Sequence, residues 1–260
     1  MGGWAWPGLA TAGAMLATPA AAGPWAIGDG DAQVILKAEH MVAEEGFDPG
    51  GERRDLPADR RDSLVGVFAE YGLTDRLTLQ IKGDWQWGED AFVDYEGRGP
   101  IEVGVWWQAW RDERWALSGY VGYADGGEGR NAGYAPPGQG DEDVEVRLGV
   151  GRSFGNSDGG GWRPQRSFAD VQVARRMRAG LPDEVRLDAT LGGHFGETWM
   201  VLGQAFAGQA DEGGARWLSL ETSVVRRFGG WSVQAGWRET VAGRETPAAS
   251  GPVVAIWRRF

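Results

Sequence analysis

Apolar and polar residues alternate along most of the chain. In "RLTLQIKGDWQW" (76–87), Leu77, Leu79, Ile81, Trp85 and Trp87 face one way, and Thr78, Gln80, Lys82, Asp84 and Gln86 the other. In "DVEVRLGVG", Val144, Val146, Leu148 and Val150 alternate with Glu145, Arg147 and Gly149. "EVRLDATLGG" and "WSVQAGWR" repeat the arrangement around Val185, Leu187 and Leu191 and around Trp231, Val233 and Trp237. Successive side chains of a strand point to opposite faces, so each stretch predicts a strand with one apolar and one polar face. None carries a helical period. The pattern predicts about twelve strands, near 32–43, 62–73, 76–87, 100–111, 114–124, 143–154, 167–178, 184–195, 198–208, 216–228, 231–241 and 251–260.

The links between these strands alternate in length. Leu73–Arg76, Asp112-Glu113, Gly196-Glu197 and Gly229-Gly230 are tight, whereas "EEGFDPGGERRDLPADRR", "GEDAFVDYEGRG" and "ADGGEGRNAGYAPPGQGDE" are long. An even number of strands with short turns at one end and long loops at the other is the organisation of a bacterial outer-membrane barrel. "GNSDGGGWRPQR" (155–166) falls at the short-turn end and is long, which predicts a periplasmic flap.

The side on which the apolar face lies decides the class. Charges recur on the polar set: Lys82, Asp84, Glu102, Glu145, Arg147, Arg186, Asp188, Glu221 and Arg238. A dry protein core would not accept that many. They face either water outside a soluble sandwich or a wet lumen inside a membrane barrel. Aromatic residues decide between the two, because they gather by height. Trp115, Trp199, Trp231 and Phe260 flank the short turns or end the chain beside them, while Trp85, Trp87 and Trp237 sit near the other strand ends. Rings placed so form girdles at the two membrane–water boundaries. The predicted fold is all-β: a transmembrane antiparallel up-and-down β-barrel of about twelve strands, in the Gram-negative outer membrane.

Composition sharpens this picture. Mean hydropathy is −0.38 and 42% of the 260 residues are hydrophobic, which excludes helical membrane spans but not a barrel. Fifteen Trp supply girdles, and 44 Gly suit turns and curved strands. There is no Cys, hence no disulfide framework. The net charge of −11 without a basic stripe argues against nucleic acid as a partner. Residues 1–22 are apolar and rich in small residues, and end in Ala20-Ala21-Ala22. They read as a signal peptide, although no basic residue precedes the apolar run. Residues 23–260 then form a single barrel domain.

"AEYGLTDRLTLQI" (69–81) resembles a turn found in bacterial outer-membrane barrels, namely in transporters related to the phenol-degradation meta-pathway outer-membrane family, and "HFGETWMVLGQ" (194–204) resembles a second copy. The resemblance covers about two hairpins and the terminal Phe260. It implies passage of small, often hydrophobic or aromatic compounds, and brings no catalytic residues with it. A strand closing on Phe260 implies recognition by the outer-membrane barrel assembly machinery, although the place two residues earlier, usually apolar, holds Arg258. Membrane lipids, lipopolysaccharide and a small-molecule solute are the other partners implied.

The leading expectation is therefore a channel or passive transporter for small molecules. Mixed charges could instead plug the lumen with salt bridges, giving a non-conducting barrel with a structural or surface-interaction role. A lipid-modifying barrel enzyme is the third expectation. It requires His40 or His194 beside a Ser on a neighbouring strand. His40 falls on the apolar set and His194 on the polar set, which predicts a girdle and a lumen position respectively. No catalytic motif, cofactor site or metal site is predicted. Asp141-Glu142-Asp143 offers hard oxygen ligands at an outer strand end, for which solvated loop carboxylates are the simpler account.

Overall fold

A computed structural model describes residues 23–91, 94–127, 142–155 and 163–260. Residues 1–22, 92–93, 128–141 and 156–162 lie outside them, and with them the expected signal peptide, Asp141 and most of the expected periplasmic flap. The chain forms one antiparallel sheet closed on itself. Its strands are β1 (Ala32–Phe47), β2 (Arg53–Thr74), β3 (Leu77–Glu89), β4 (Asp94–Arg111), β5 (Trp115–Asp125), β6 (Glu142–Phe154), β7 (Arg166–Arg178), β8 (Glu184–Phe195), β9 (Trp199–Ala210), β10 (Arg216–Phe228), β11 (Trp231–Arg244), a two-residue β12 (Thr246–Pro247) and β13 (Ser250–Arg259). Neighbours in sequence pair as hairpins. The seam closes where β1 lies between β2 and β13, with Gln33 opposite Glu70 on one side and Arg259 on the other. Twelve long strands thus make the wall, and both ends of the wall-forming chain lie at the short-turn end, the periplasmic end of such a barrel.

Side-chain alternation gives the wall its two faces. Ile81, Val103, Val121, Leu148, Leu187 and Val233 all lie on the outside. Leu148 is 65% and Leu191 60% exposed, and apolar neighbours surround them on all sides. An unbroken apolar belt of that extent is stable only against lipid. The Trp and Phe residues rim it. On β5, Trp115 and Tyr123 lie eight residues apart on this face. At about 3.3 Å per residue and a tilt of about 40° they are about 20 Å apart along the barrel axis.

One device recurs at the short-turn rim. Trp115 on β5 pairs across the ladder with Arg152 on β6, and the guanidinium lies 4.8 Å from the Trp115 ring centre and 5.1 Å from that of Phe154. Arg226 sits likewise between Trp199 and Phe228, at 5.2 and 4.7 Å. Arg258 sits between Trp231 and Phe260, at 5.0 and 5.1 Å. Cation–π attraction lets the arginine take a place among the rim aromatics. This accounts for Arg258 where an apolar residue is usual.

The strands outrun the hydrophobic pattern at the other end. The link expected over 44–61 is mostly ladder, and only 48–52 turn between β1 and β2. Above the membrane both faces meet water, so the alternation vanishes while the backbone pairing continues. Charged pairs such as Arg53 with Glu45, at 3.4 Å, replace apolar contacts there.

Candidate functional site: the lumen

The inward face is built in three layers. The middle layer is an ion-pair lattice. On one side Arg238 (β11) bonds Glu39 (β1) at 2.9 Å and Glu221 (β10) at 2.6 Å. Glu221 also accepts from Ser223 at 2.7 Å and Gln234 at 3.1 Å, and the Arg238 guanidinium lies 4.7 Å from the Phe206 ring centre. Across the lumen, Glu102 (β4) binds Lys82 at 2.8 Å and Arg176 at 3.0 Å, and accepts from the Tyr120 hydroxyl at 2.7 Å. Arg147 (β6) joins Glu145 at 2.8 Å, Gln172 at 2.9 Å and the Asp188 carboxylate. Glycine makes room for Tyr120: a Cβ at Gly104 or Gly122 would collide with its ring.

The expected lumen residues take these places, but their pairings differ from sequence adjacency. Glu145 and Arg147 bond along one strand as their spacing suggests. Lys82 reaches Glu102 rather than Asp84, and Arg186 reaches Glu184 at 2.6 Å rather than Asp188. Asp84 keeps a buried Oδ1 without a hydrogen-bond partner among the described residues. Asp143, considered for divalent cations, points inward and is held by Arg176 at 2.8 Å. Among the described residues no cluster of potential metal ligands forms.

Within this lattice lies a cavity of about 380 Å³, lined by Lys37, Lys82, Asp84, Arg147, Arg186 and Asp188 together with Leu64, Phe68, Trp106, Leu202, Phe206 and Trp257. Its short-turn side is the second layer, an apolar floor of Phe168, Met200, Leu202, Val225, Ala255 and Trp257, with Trp25 and Ile35 against it. Alternation alone does not mark these residues as inward. A signal for them exists: "PVVAIW", "WMVL" and "SVV" are apolar on both alternate sets, the mark of a strand buried on both faces.

The chain ahead of β1 completes the floor. Pro24 is fully buried, and its carbonyl accepts from Gln108 at 2.9 Å and Ser118 at 2.6 Å. Trp25 meets Phe168 edge-on at 6.2 Å, and the Ile27 amide donates to Thr78 at 3.2 Å. Gly151 and Gly72 accept this segment, since a Cβ at either would strike Trp25 or the Gly28 carbonyl. Residues 23–28 thus cross the barrel from the seam strand to β3–β5. The third layer, at the short-turn end beneath the floor, carries Arg166, Arg227, Arg259, His194 and Glu70.

The residues expected in the girdle, Trp85, Trp87, Trp115, Trp199, Trp231, Trp237 and Phe260, are all exposed on the outer wall. His40 is also outside. Its Nδ1 lies 2.8 Å from the hydroxyl of Ser63, its cross-strand partner on β2. No described carboxylate or amide hydrogen-bonds the other ring nitrogen. His194 faces the lumen against Phe168, with ring centres 6.2 Å apart, and bonds no serine among the described residues.

A closed antiparallel barrel with a lipid-facing belt and a charged interior is an outer-membrane β-barrel. No protein-family model matches the chain, and no curated protein matches it in sequence. Solved structures match in fold. An outer membrane channel from Pseudomonas putida F1 aligns with TM-score 0.64 at 14% identity, covering 91% of this chain and 98% of its own. The KdgM porin, in complex with disordered oligogalacturonate, aligns with TM-score 0.53 at 6% identity over 88% and 99%. The translocator domain of autotransporter NalP from Neisseria meningitidis aligns with TM-score 0.51 at 10% identity over 90% of each chain.

Proposed function

We propose that the barrel is a passive outer-membrane channel for small molecules with an apolar body, hydrophobic or aromatic compounds among them, and that it is not an enzyme. The observation that carries this is the cavity of about 380 Å³ above an apolar floor. The volume falls within the range of about 300–1,000 Å³ common to small-molecule sites. Its polar wall keeps the path wetted, and its floor offers a dry surface that a purely ionic pore has no use for. The resemblance of the Ala69–Ile81 turn to the phenol-degradation transporter family supports the same solute class.

A second reading is a non-conducting barrel. It is favoured by the ion-pair lattice and by residues 23–28 lying across the lumen. Planar-bilayer recording separates the two: stepwise ion current supports the channel, whereas silence from a barrel with heat-modifiable gel migration supports the second reading. A third reading, a lipid-modifying enzyme, has the His40–Ser63 contact in its favour. It lacks an orienting group on the second ring nitrogen among the described residues, the part that makes such a pair a base and nucleophile. Phospholipid hydrolysis that disappears in Ser63→Ala would establish it.

A further inference from the structure

Beneath the apolar floor, three strands repeat one arrangement. On β7 Arg166 follows Phe168 toward the short-turn end, on β10 Arg227 follows Val225, and on β13 Arg259 follows Trp257. In each case the two residues lie two positions apart on the inward face, so an arginine stands directly below a floor residue. His194 on β8 pairs with Arg166 across the ladder and touches Phe168. The arginines are close enough to repel one another: Arg227 feels Arg166, and Arg259 feels Arg227.

Their pairing sets them apart from the lattice above. No described carboxylate comes within salt-bridge reach of Arg166 or Arg227. The Nη2 of Arg227 is buried and has no hydrogen-bond partner among the described residues. Arg259 donates to Gln33 at 2.9 Å and feels the Glu70 carboxylate. Arg166 and Arg227 are thus the two cations of this end without a described counter-ion. A guanidinium nitrogen left buried without a partner is costly, and a bound anion relieves that cost. The wall directly above offers Phe168, Val225, Trp257 and Trp25.

We propose that this end of the lumen is a binding station for small organic carboxylates with an aromatic or aliphatic body. The carboxylate takes the fork of Arg227 with Arg166, since a planar guanidinium matches a carboxylate with two parallel hydrogen bonds. The body lies against the floor, where burial of apolar surface adds affinity that a bare anion cannot gain. The station belongs to the channel proposed above, but equilibrium binding is read without current, so failure of either proposal leaves the other standing.

The test is titration of the purified, detergent-folded barrel, followed by calorimetry and by tryptophan emission, with three probes. Benzoate carries both body and charge, benzamide the body alone, and acetate the charge alone. Saturable benzoate binding at least about tenfold tighter than that of either partial probe is expected. Arg227→Gln and Arg166→Gln should each weaken benzoate about tenfold or more, the loss of a charge-assisted bond. Arg227→Lys should weaken it less, and Arg152→Gln, on the outer wall, should leave it unchanged. Gel migration confirms that each variant is folded. Equal binding of benzoate and benzamide, undiminished binding in both glutamine variants, or no binding by the parent barrel would each overturn the proposal.

Discussion

At the scale of single residues, the lumen is governed by which charge has a partner. Arg238 satisfies Glu39 and Glu221 together, and all three are almost wholly buried. Arg238→Met leaves Glu221 without its cation and Glu39 with Lys37 alone, at 2.5 Å. A loss of about 3–5 kcal/mol is expected, from the penalty of breaking a buried pair by removing one partner. Urea unfolding in lipid vesicles measures it, and an unchanged midpoint would show that water already screens the lattice. Tyr120 depends on absent side chains instead: Gly104→Val or Gly122→Val should push its hydroxyl off Glu102, visible as a changed tyrosine signal and a weakened β4–β5 hairpin. Sequence adjacency showed that these charges share the polar face, but not whom they bond. Lys82 stands two residues from Asp84 yet reaches Glu102 on the next strand, because cross-strand distance depends on register and register is not written in spacing. At the rim, Asp112 accepts the amides of Arg114 and Trp115, both at 2.7 Å, and these bonds hold its carboxyl below the usual range. The stabilisation is therefore present above the ordinary carboxylate range and is lost as pH falls through the depressed value. Amide exchange at Trp115 should accelerate only in strong acid, and acceleration already near pH 5 would contradict this account.

At the scale of elements, strands were legible and the segment before them was not. Leu77, Leu79, Ile81, Trp85 and Trp87 declare one face of β3 by alternation alone, and all five lie outside. Residues 23–28 have no period to read. Their place is fixed by tertiary bonds from Gln108, Ser118 and Thr78, each more than 50 positions away. Strand β13 was only half legible: "PVVAIW" is apolar on both sets, so the pattern could not say that Trp257 turns in while Ile256 turns out. The floor yields a prediction at this scale. Replacing Pro24-Trp25-Ala26 by Gly-Ser-Gly should free the segment from the wall, raise single-channel conductance severalfold and leave gel migration of the folded barrel unchanged. Equal conductance would place the constriction in the ion-pair lattice instead. The three Arg–Trp–Phe sites are also element-level devices, since each ties two neighbouring strands at the end away from their connecting loop. Arg226→Ala should cost about 0.5–1 kcal/mol, the worth of an exposed cation–π contact, and should shift Trp199 emission to the red as its ring meets more water.

At the scale of the whole molecule, three independent patterns agreed on one architecture. Alternation set two faces, aromatic height set the membrane boundary, and link length set which end is which. Each is a consequence of the bilayer as solvent, which is why a chain with 14% identity to a solved channel could still be read as a barrel. The same solvent explains what was misplaced. A lumen is expected to be polar, so an apolar floor inside it runs against the rule and has to be seen in three dimensions. The long first loop was overestimated for a related reason: outside the membrane, strands lose their pattern without losing their pairing.

The floor also bears on how far the seam can move. Residues 23–28 run directly into β1, the strand whose pairing with β13 closes the seam, and they bond β3, β4 and β5. The segment is a strut inside the lumen: β1 cannot slip in register against β13 without drawing on bonds anchored as far along the wall as β5. Register at the seam and the position of the floor are set together, and a seam displaced by one residue would carry the constriction with it.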